Sequence, residues 1–229
     1  MNSRIRHLKD NIRKHTADID AYQEIKNKSY ADSEGMSEIF RKAKFLSDFA
    51  ANIPVELDEY ELICGSLRFW WCDVTGHHNM GHIIVDYEML LNDGLPVIRK
   101  KIQQLSTNDA KAFEEALTAF ELFIKRYADE AESRFILKGN RDMSRVANNC
   151  RQLLSGRPQN FEQALQLIWF VHVFLHAEGS AAGVSFGRFD EYLYPFYKKD
   201  IENGISKEEL KELISCFWIK PAKGMKARI

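Results

Sequence analysis

The chain has 229 residues, of which 45% are hydrophobic and 12% aromatic, enough to bury a substantial core and to exclude a disordered chain. With 32 Lys+Arg against 33 Asp+Glu, the formal net charge of −1 argues against a dedicated binder of nucleic acid or of a membrane surface. The four cysteines form no CxxC pair, and no apolar stretch follows the basic start. We therefore expect a cytoplasmic protein without a signal peptide.

The N-terminal third is predicted to be helical, with breaks near Gly35 and at Pro54. Three helices are expected there, over residues 3–15, 17–30 and 35–51. Strand patterns are few in the whole chain, and the two short candidates are residues 61–64 and 182–186.

A histidine cluster lies in the segment 75–82, which reads TGHHNMGH. His78 and His82 are four residues apart, a spacing that could chelate a metal from one face of a helix. Glycines bracket the segment and disfavour a helix, and no third ligand is evident beyond His77. We therefore favour ordinary loop histidines, or a polar loop that faces a substrate, over a metal site.

Apolar residues at three- and four-residue steps predict a long amphipathic helix over 108–136. A second stripe predicts a helix over 143–154, ended by Gly156 and Pro158. Asn160 with Gln163 then forms a capping-box pattern.

The helix that follows the cap, over 161–177, is apolar on all sides and must be packed on all sides. If a barrel supplies that cover, the chain alone exposes a large apolar patch. His172 and His176 lie on this helix at a four-residue spacing, and we expect hydrogen bonds rather than a metal to satisfy them.

A glycine-rich loop follows, and it brings a hydroxyl, a guanidinium and a carboxylate together at Ser185, Arg188 and Asp190. Its pattern matches no nucleotide phosphate loop. For Arg188 with Asp190, a buried structural ion pair and a contact to substrate both stay open.

Ser206 with Glu209 forms another capping box and opens a helix over 207–219. We predict that this helix stops at Lys220-Pro221, and that residues 221–229 form an atypical basic tail after a unit spanning 1–220.

Several separated segments, taken together, resemble the glycyl-radical enzymes of the pyruvate formate-lyase superfamily. The segment 81–95 resembles the GHxxxDYExLLxxGL pattern of that family, and the segment 185–195 resembles its SxGRxDQ motif. Weaker matches follow the family order at Arg126-Tyr127, at 161–166 and in the N-terminal region. The resemblance covers residues 1–220, and position 191 departs from the motif, with Glu in place of Gln.

This resemblance implies a fold and a chemistry. The fold would be the N-terminal helical part of a ten-stranded α/β barrel, so that the fragment itself is mainly α. The chemistry would be lyase or dehydratase chemistry on a small polar substrate, started by a glycyl radical that an S-adenosylmethionine iron–sulfur activase installs. By position in the motifs, His82 and Ser185 match polar substrate contacts, with Arg188 and Asp190 beside them. This chain itself would bind no cofactor.

The radical residues of the family have no counterpart here. No cysteine lies in a GCxE-type loop, and no RVxGY-type glycine loop is present. We therefore predict an N-terminal fragment, truncated or frame-shifted, that is inactive alone. Its partners would be the downstream half of the barrel and the activase, and a homodimer is left open.

Two alternatives remain from other classes of protein. The first is a stand-alone helical binding or scaffolding domain derived from this family. The second is a metal-dependent enzyme that uses His77, His78 and His82.

Overall fold

The computed structural model describes residues 2–11, 19–66, 82–179 and 183–224. Within those ranges the chain forms nine helices and two short strands. The helices are α1 (Ser3–Asn11), α2 (Ile19–Asp32), α3 (Glu38–Asn52), α4 (Tyr87–Gln103), α5 (Ala110–Lys138), α6 (Arg141–Ser155), α7 (Phe161–Gly179), α8 (Phe189–Glu202) and α9 (Lys207–Gly224). The strands are β1 (His82–Ile84) and β2 (Gly183–Ser185). The prediction of a mainly helical chain is confirmed.

Helix α7 lies at the centre of the molecule. All its residues are buried except Val171, Leu175 and Glu178, which are half-buried. Helices α3, α4, α6, α8 and α9 pack against it. Helix α5 also contacts it, with the Phe120 ring 4.9 Å from that of Phe174 and the Phe123 ring 5.6 Å from that of Phe170. The prediction that it is packed on all sides is confirmed, because helices of this chain enclose it.

The long helix α5 packs between α3 and α6. Its predicted apolar stripe is buried in the middle, at residues such as Leu117, Ile124 and Tyr127. The stripe becomes exposed at both ends, where Phe113 is 41% and Phe135 is 37% exposed. A left-handed Gly139, with φ of 67°, ends the helix by donating its backbone N–H to Phe135.

Both predicted capping residues accept the expected hydrogen bond. The Asn160 side chain accepts from the backbone N–H of Gln163 at 2.9 Å, and the Ser206 hydroxyl accepts from that of Glu209 at 3.2 Å. The return bonds go elsewhere: the Gln163 amide accepts from the Gln159 N–H at 2.8 Å, and Glu209 pairs with an arginine of α6. The sequence pattern therefore predicts the start of each helix but not the full box.

The predictions for strands are confirmed in one case and wrong in the other. β2 lies inside the candidate 182–186. Residues 61–64 form no strand, because the backbone of Cys64 pairs with a side chain instead of a neighbouring strand. Its N–H donates to Gln166 Oε1 at 2.8 Å, and its carbonyl accepts from Gln166 Nε2 at 2.9 Å.

Helix α9 does not stop at Lys220-Pro221, as predicted, but continues through Pro221 to Gly224. A proline inside a helix removes one hydrogen bond and crowds the preceding turn. Here Lys220 anchors that turn: its ammonium lies 2.7 Å from Glu61 Oε1 and donates to the carbonyl of Gly65 at 3.1 Å. Both charged side chains are buried.

Three helices are confirmed in the N-terminal third, with residues 12–18 outside the described part of the chain. Gly35 makes the predicted break with a φ of 84°. Among the described residues, no helix combines the length and the apolar content needed to cross a membrane.

Candidate functional site

The two short strands bring the predicted site residues of distant segments together. β1 and β2 pair in parallel, with His82 opposite Gly183 and Ile84 opposite Ser185. His82 and Ser185 therefore lie on neighbouring strands, two positions apart. Ile84 is 68% exposed and Ser185 is also exposed, so solvent reaches the sheet at this pair.

A tight turn after β2 orients the Ser185 side chain. Its Oγ accepts a hydrogen bond from the backbone N–H of Gly187 at 3.0 Å. Gly187 has a φ of 61°, and a Cβ there would lie 3.1 Å from Ile84 Cγ2. Because Oγ uses one acceptor position in this bond, its O–H proton can still be donated to a ligand.

The back of β2 is packed through Phe186. The Phe186 ring lies 4.7 Å from that of His172 and 5.3 Å from that of Phe217, centre to centre. Its carbonyl accepts a hydrogen bond from the Tyr192 hydroxyl at 2.6 Å. The residue after Ser185 is thus held by α7, α8 and α9, which fixes the strand on which Ser185 lies.

His172 is a buried, neutral histidine beneath this site. Burial and the neighbouring His176 lower its pKa to about 3. Its ring stacks on Trp169 at 5.3 Å and on Phe186. The expectation of hydrogen-bonded histidines is confirmed for His176, whose Nδ1–H donates to the His172 carbonyl at 2.8 Å. It is wrong for His172 Nδ1, which is buried without a partner in the described part of the chain.

Arg188 and Asp190 do not form the buried ion pair that was one of the two interpretations. Both side chains are exposed, and Arg188 pairs with Glu191 one helical turn away. Asp190 lies in the first turn of α8, where a negative charge interacts favourably with the helix dipole. The departure from the family motif, Glu191, is thus the partner of Arg188.

The segment 81–95, which carries most of the resemblance, has a clear structural role that sequence reasoning did not identify. Asp86 caps α4 by accepting from the backbone N–H of Met89 at 2.9 Å. Tyr87 is buried, and burial raises its pKa above its usual range. Gly94, at a φ of 69°, lies against the backbone of Arg157, where a Cβ would be 2.7 Å from the Arg157 nitrogen. The Gly94-Leu95 pair of the family pattern is the sequence feature that could have indicated this contact.

The cysteines described by the structure are enclosed in the core. Cys64, Cys150 and Cys216 are all buried thiols. Burial together with the adjacent Cys150 raises the pKa of Cys64, and burial raises that of Cys216 to about 12. Such protonated thiols behave as small apolar groups. Cys72 lies outside the described residues.

The predicted metal ligands cannot be placed together, since His77 and His78 lie outside the described residues. Within the described ranges, no group of three or more His, Cys, Asp or Glu side chains could hold a metal ion.

A polar cavity of about 400 Å³ lies on another side of the molecule, between α1, the segment 55–66, the end of α5 and Lys220. Two ion pairs lie in its wall: Lys220 with Glu61, and Lys138 with Glu59. None of the residues lining it belongs to the predicted site.

The fold defines the class of protein first. The nine described helices, with α7 at their centre and two parallel strands at one side, form the helical part of an α/β barrel. A structure described as 1,2-propanediol dehydration in Roseburia inulinivorans has this fold, with a TM-score of 0.86 at 22% identity. The similarity covers 100% of this chain and 40% of that one.

Sequence comparison then gives the family. Residues 72–228 match the family model described as pyruvate formate lyase-like. The chain therefore belongs to the pyruvate formate lyase-like family, within the glycyl-radical enzymes.

Two similar proteins support this assignment. The (2S)-3-sulfopropanediol dehydratase of Klebsiella oxytoca is 30% identical over 191 residues, which is 76% of this chain and 23% of that enzyme. A probable dehydratase of Escherichia coli K12, YbiW, is 30% identical over 158 residues, 61% of this chain and 20% of that protein. The chain thus spans less than a quarter of each.

Proposed function

We propose that this chain is the N-terminal portion of a glycyl-radical dehydratase or lyase that acts on a small polar substrate. The observation that carries the proposal is the pairing of β1 with β2, which puts His82 and Ser185 on neighbouring strands. The relatives described as dehydratases support the reaction class.

In this proposal the chain supplies substrate contacts and no reacting radical. A cysteine thiyl radical, made by the glycyl radical, would abstract hydrogen from the substrate. Ser185 would donate its hydroxyl proton to a substrate oxygen, and His82 would contact the same polar group. Arg188 and Asp190 are the remaining predicted contacts, at the exposed start of α8.

The radical cysteine and the radical glycine would come from outside this sequence. None of its four cysteines stands in a GCxE-type loop, and three are buried. We therefore propose that the chain is inactive alone and binds no cofactor itself. The downstream half of the barrel would be its partner, with an S-adenosylmethionine activase, in the cytoplasm; a homodimer is a further option.

The test is radical formation measured by electron paramagnetic resonance. Incubated anaerobically with a suitable activase and S-adenosylmethionine, this chain should give no glycyl radical signal. Addition of the downstream half should produce the signal and turnover of a small diol. A radical on the chain alone would overturn the proposal.

Variants of the reconstituted enzyme separate substrate contacts from structural residues. Ser185→Ala and His82→Ala should lower turnover at least about tenfold, the loss expected for one hydrogen bond to the substrate in the transition state, with an unchanged radical yield. The matched control is Ser215→Ala, since the Ser215 hydroxyl bonds only within α9, to the Lys211 carbonyl at 2.7 Å. Loss of the radical in the Ser185 or His82 variant would show a structural role instead.

A second function, a stand-alone binding or scaffolding domain, is favoured by one observation. Helix α7 is enclosed by helices of this same chain, so its core does not depend on further protein. This alternative predicts a monomer that unfolds cooperatively and gains no radical when the downstream half is added.

A further inference from the structure

Two cysteines from distant segments meet in the core. Cys64 Sγ lies 3.8 Å from Cys150 Sγ, and both residues are fully buried. Cys64 precedes the segment that leads to β1, and Cys150 lies on the buried face of α6. They are 86 positions apart in the sequence.

The segment 61–66 is attached to the helices at several points around Cys64. Gln166 on α7 makes two hydrogen bonds to the Cys64 backbone. The carbonyl of Gly65 accepts from Trp169 Nε1 and from Lys220 Nζ, both at 3.1 Å. The Cys64 thiol is therefore held facing Cys150 by contacts that do not involve either sulfur.

We propose that Cys64 and Cys150 are a redox pair that closes to a reversible disulfide and locks the segment 61–66 onto α6. A disulfide has a sulfur–sulfur distance of about 2.05 Å, so closure requires an approach of less than 2 Å, which side-chain rotation can supply. The proposal goes beyond the proposed function and does not depend on it.

The oxidant would be a low-molecular-weight disulfide such as oxidised glutathione. One cysteine loses its proton and its thiolate attacks a reagent sulfur; the reagent S–S bond breaks and one glutathione thiol leaves. The second cysteine loses its proton and attacks the protein sulfur of this mixed disulfide, releasing the second glutathione. The protein loses two electrons and two protons, and the reagent disulfide becomes two thiols.

Burial makes formation of the Cys64–Cys150 disulfide slow in the native fold. Burial and the neighbouring Cys150 raise the pKa of Cys64, which keeps it a thiol at neutral pH, whereas exchange requires the thiolate. The reaction would therefore proceed when the segment 61–66 opens locally. The two cysteines would stay reduced during brief exposure to the oxidant and would form the disulfide during prolonged exposure.

The test uses the whole chain in its folded state. The protein is equilibrated with mixtures of reduced and oxidised glutathione. The remaining thiols are then blocked, and the peptides are mapped by mass spectrometry. A peptide pair joined through Cys64 and Cys150, about 2 Da lighter than the sum of its thiol forms, is expected. Closing so long a loop should raise the thermal midpoint by roughly 5–10 °C, and dithiothreitol should reverse it.

Variants show whether the cross-link and the shift of the thermal midpoint come from Cys64 and Cys150. Cys150→Ala should abolish the cross-link and the shift of the midpoint. Cys216→Ala, at another buried thiol, should leave both unchanged, as should Cys72→Ser. Peptide mapping of the unaltered chain does not depend on how these variants fold.

Three results would overturn the proposal. They are the absence of the Cys64–Cys150 peptide at every glutathione ratio, a cross-link that joins Cys64 to another cysteine, and a fall of the thermal midpoint on oxidation.

Discussion

At the scale of single residues, His172 shows how the core around the candidate site depends on a neutral side chain. It lies between Trp169 and Phe186, with Nδ1 unpartnered among the described residues. A charge placed there would lose its hydration without a compensating partner. The sequence shows a histidine on an apolar helix, but it cannot show which ring nitrogen lacks a partner, because that depends on residues distant in sequence, such as Phe186.

The pKa of His172, lowered to about 3, predicts a pH dependence of stability. Below its unfolded pKa of about 6.5 the unfolded chain binds a proton that the folded chain does not, so stability falls with pH from there towards about 3. Between about pH 7.5 and about pH 5 this one residue should cost about 2 kcal/mol. His172→Phe keeps the aromatic packing and cannot titrate.

The measurement is urea unfolding of the original chain and of His172→Phe at both pH values. The variant should lose about 2 kcal/mol less than the original chain on acidification. His176, whose pKa is also lowered by burial, remains in both proteins, so its contribution cancels. Equal losses in the two proteins would show that His172 is protonated in the folded state.

At the scale of elements, periodicity predicted helices well and strands poorly, and the reason is physical. A long helix such as α5 repeats its apolar pattern over many turns, so the signal accumulates. β1 has three residues, too few for alternation to appear, and its pairing with β2 joins residues about 100 positions apart. The close approach of Gly94 to the backbone of Arg157 was also missed, because the two residues are distant in sequence.

The contact at Gly94 can be tested with a matched glycine. Gly94→Ala adds a methyl group 2.7 Å from the Arg157 nitrogen at a φ of 69°, whereas Gly139 has a φ of 67° with nothing within 4 Å. Gly139→Ala should therefore cost about 1 kcal/mol of unfolding free energy, from backbone strain alone. Gly94→Ala should cost about 3 kcal/mol or more, since steric overlap adds to the strain.

Thermal unfolding checks this difference. For a chain of this size the midpoint should fall by roughly 2–4 °C for Gly139→Ala and by roughly 6–12 °C for Gly94→Ala. Similar shifts for the two variants would mean that Gly94 does not approach the backbone of Arg157 as closely as the structure places it.

At the scale of the whole molecule, the sequence predicted that the helix 161–177 is enclosed but not which residues enclose it. An apolar surface on all sides requires cover, yet its composition says nothing about whether the cover belongs to the same chain. The answer lies in long-range contacts, such as the Tyr22 hydroxyl that donates to the Ala177 carbonyl at 2.8 Å. The core of the helical body is thus formed by contacts within this chain.

The buried ion pair between Lys220 and Glu61 joins the last helix to the segment 61–66, across more than 150 positions of sequence. Removal of one partner takes away the opposite charge that lies 2.7 Å from the other inside the protein. Lys220→Met should therefore lower the free energy of unfolding by about 3–5 kcal/mol. The double variant Glu61→Gln with Lys220→Met carries no buried charge there and should come within about 2 kcal/mol of the original chain.

Urea unfolding of the original chain, both single variants and the double variant gives the coupling between the two sites. A coupling energy of at least about 2 kcal/mol is expected, because each single change removes the adjacent opposite charge from a buried position. Additive effects would mean that Lys220 and Glu61 act independently. In that case Lys220 would not hold the last turns of α9 against the segment 61–66.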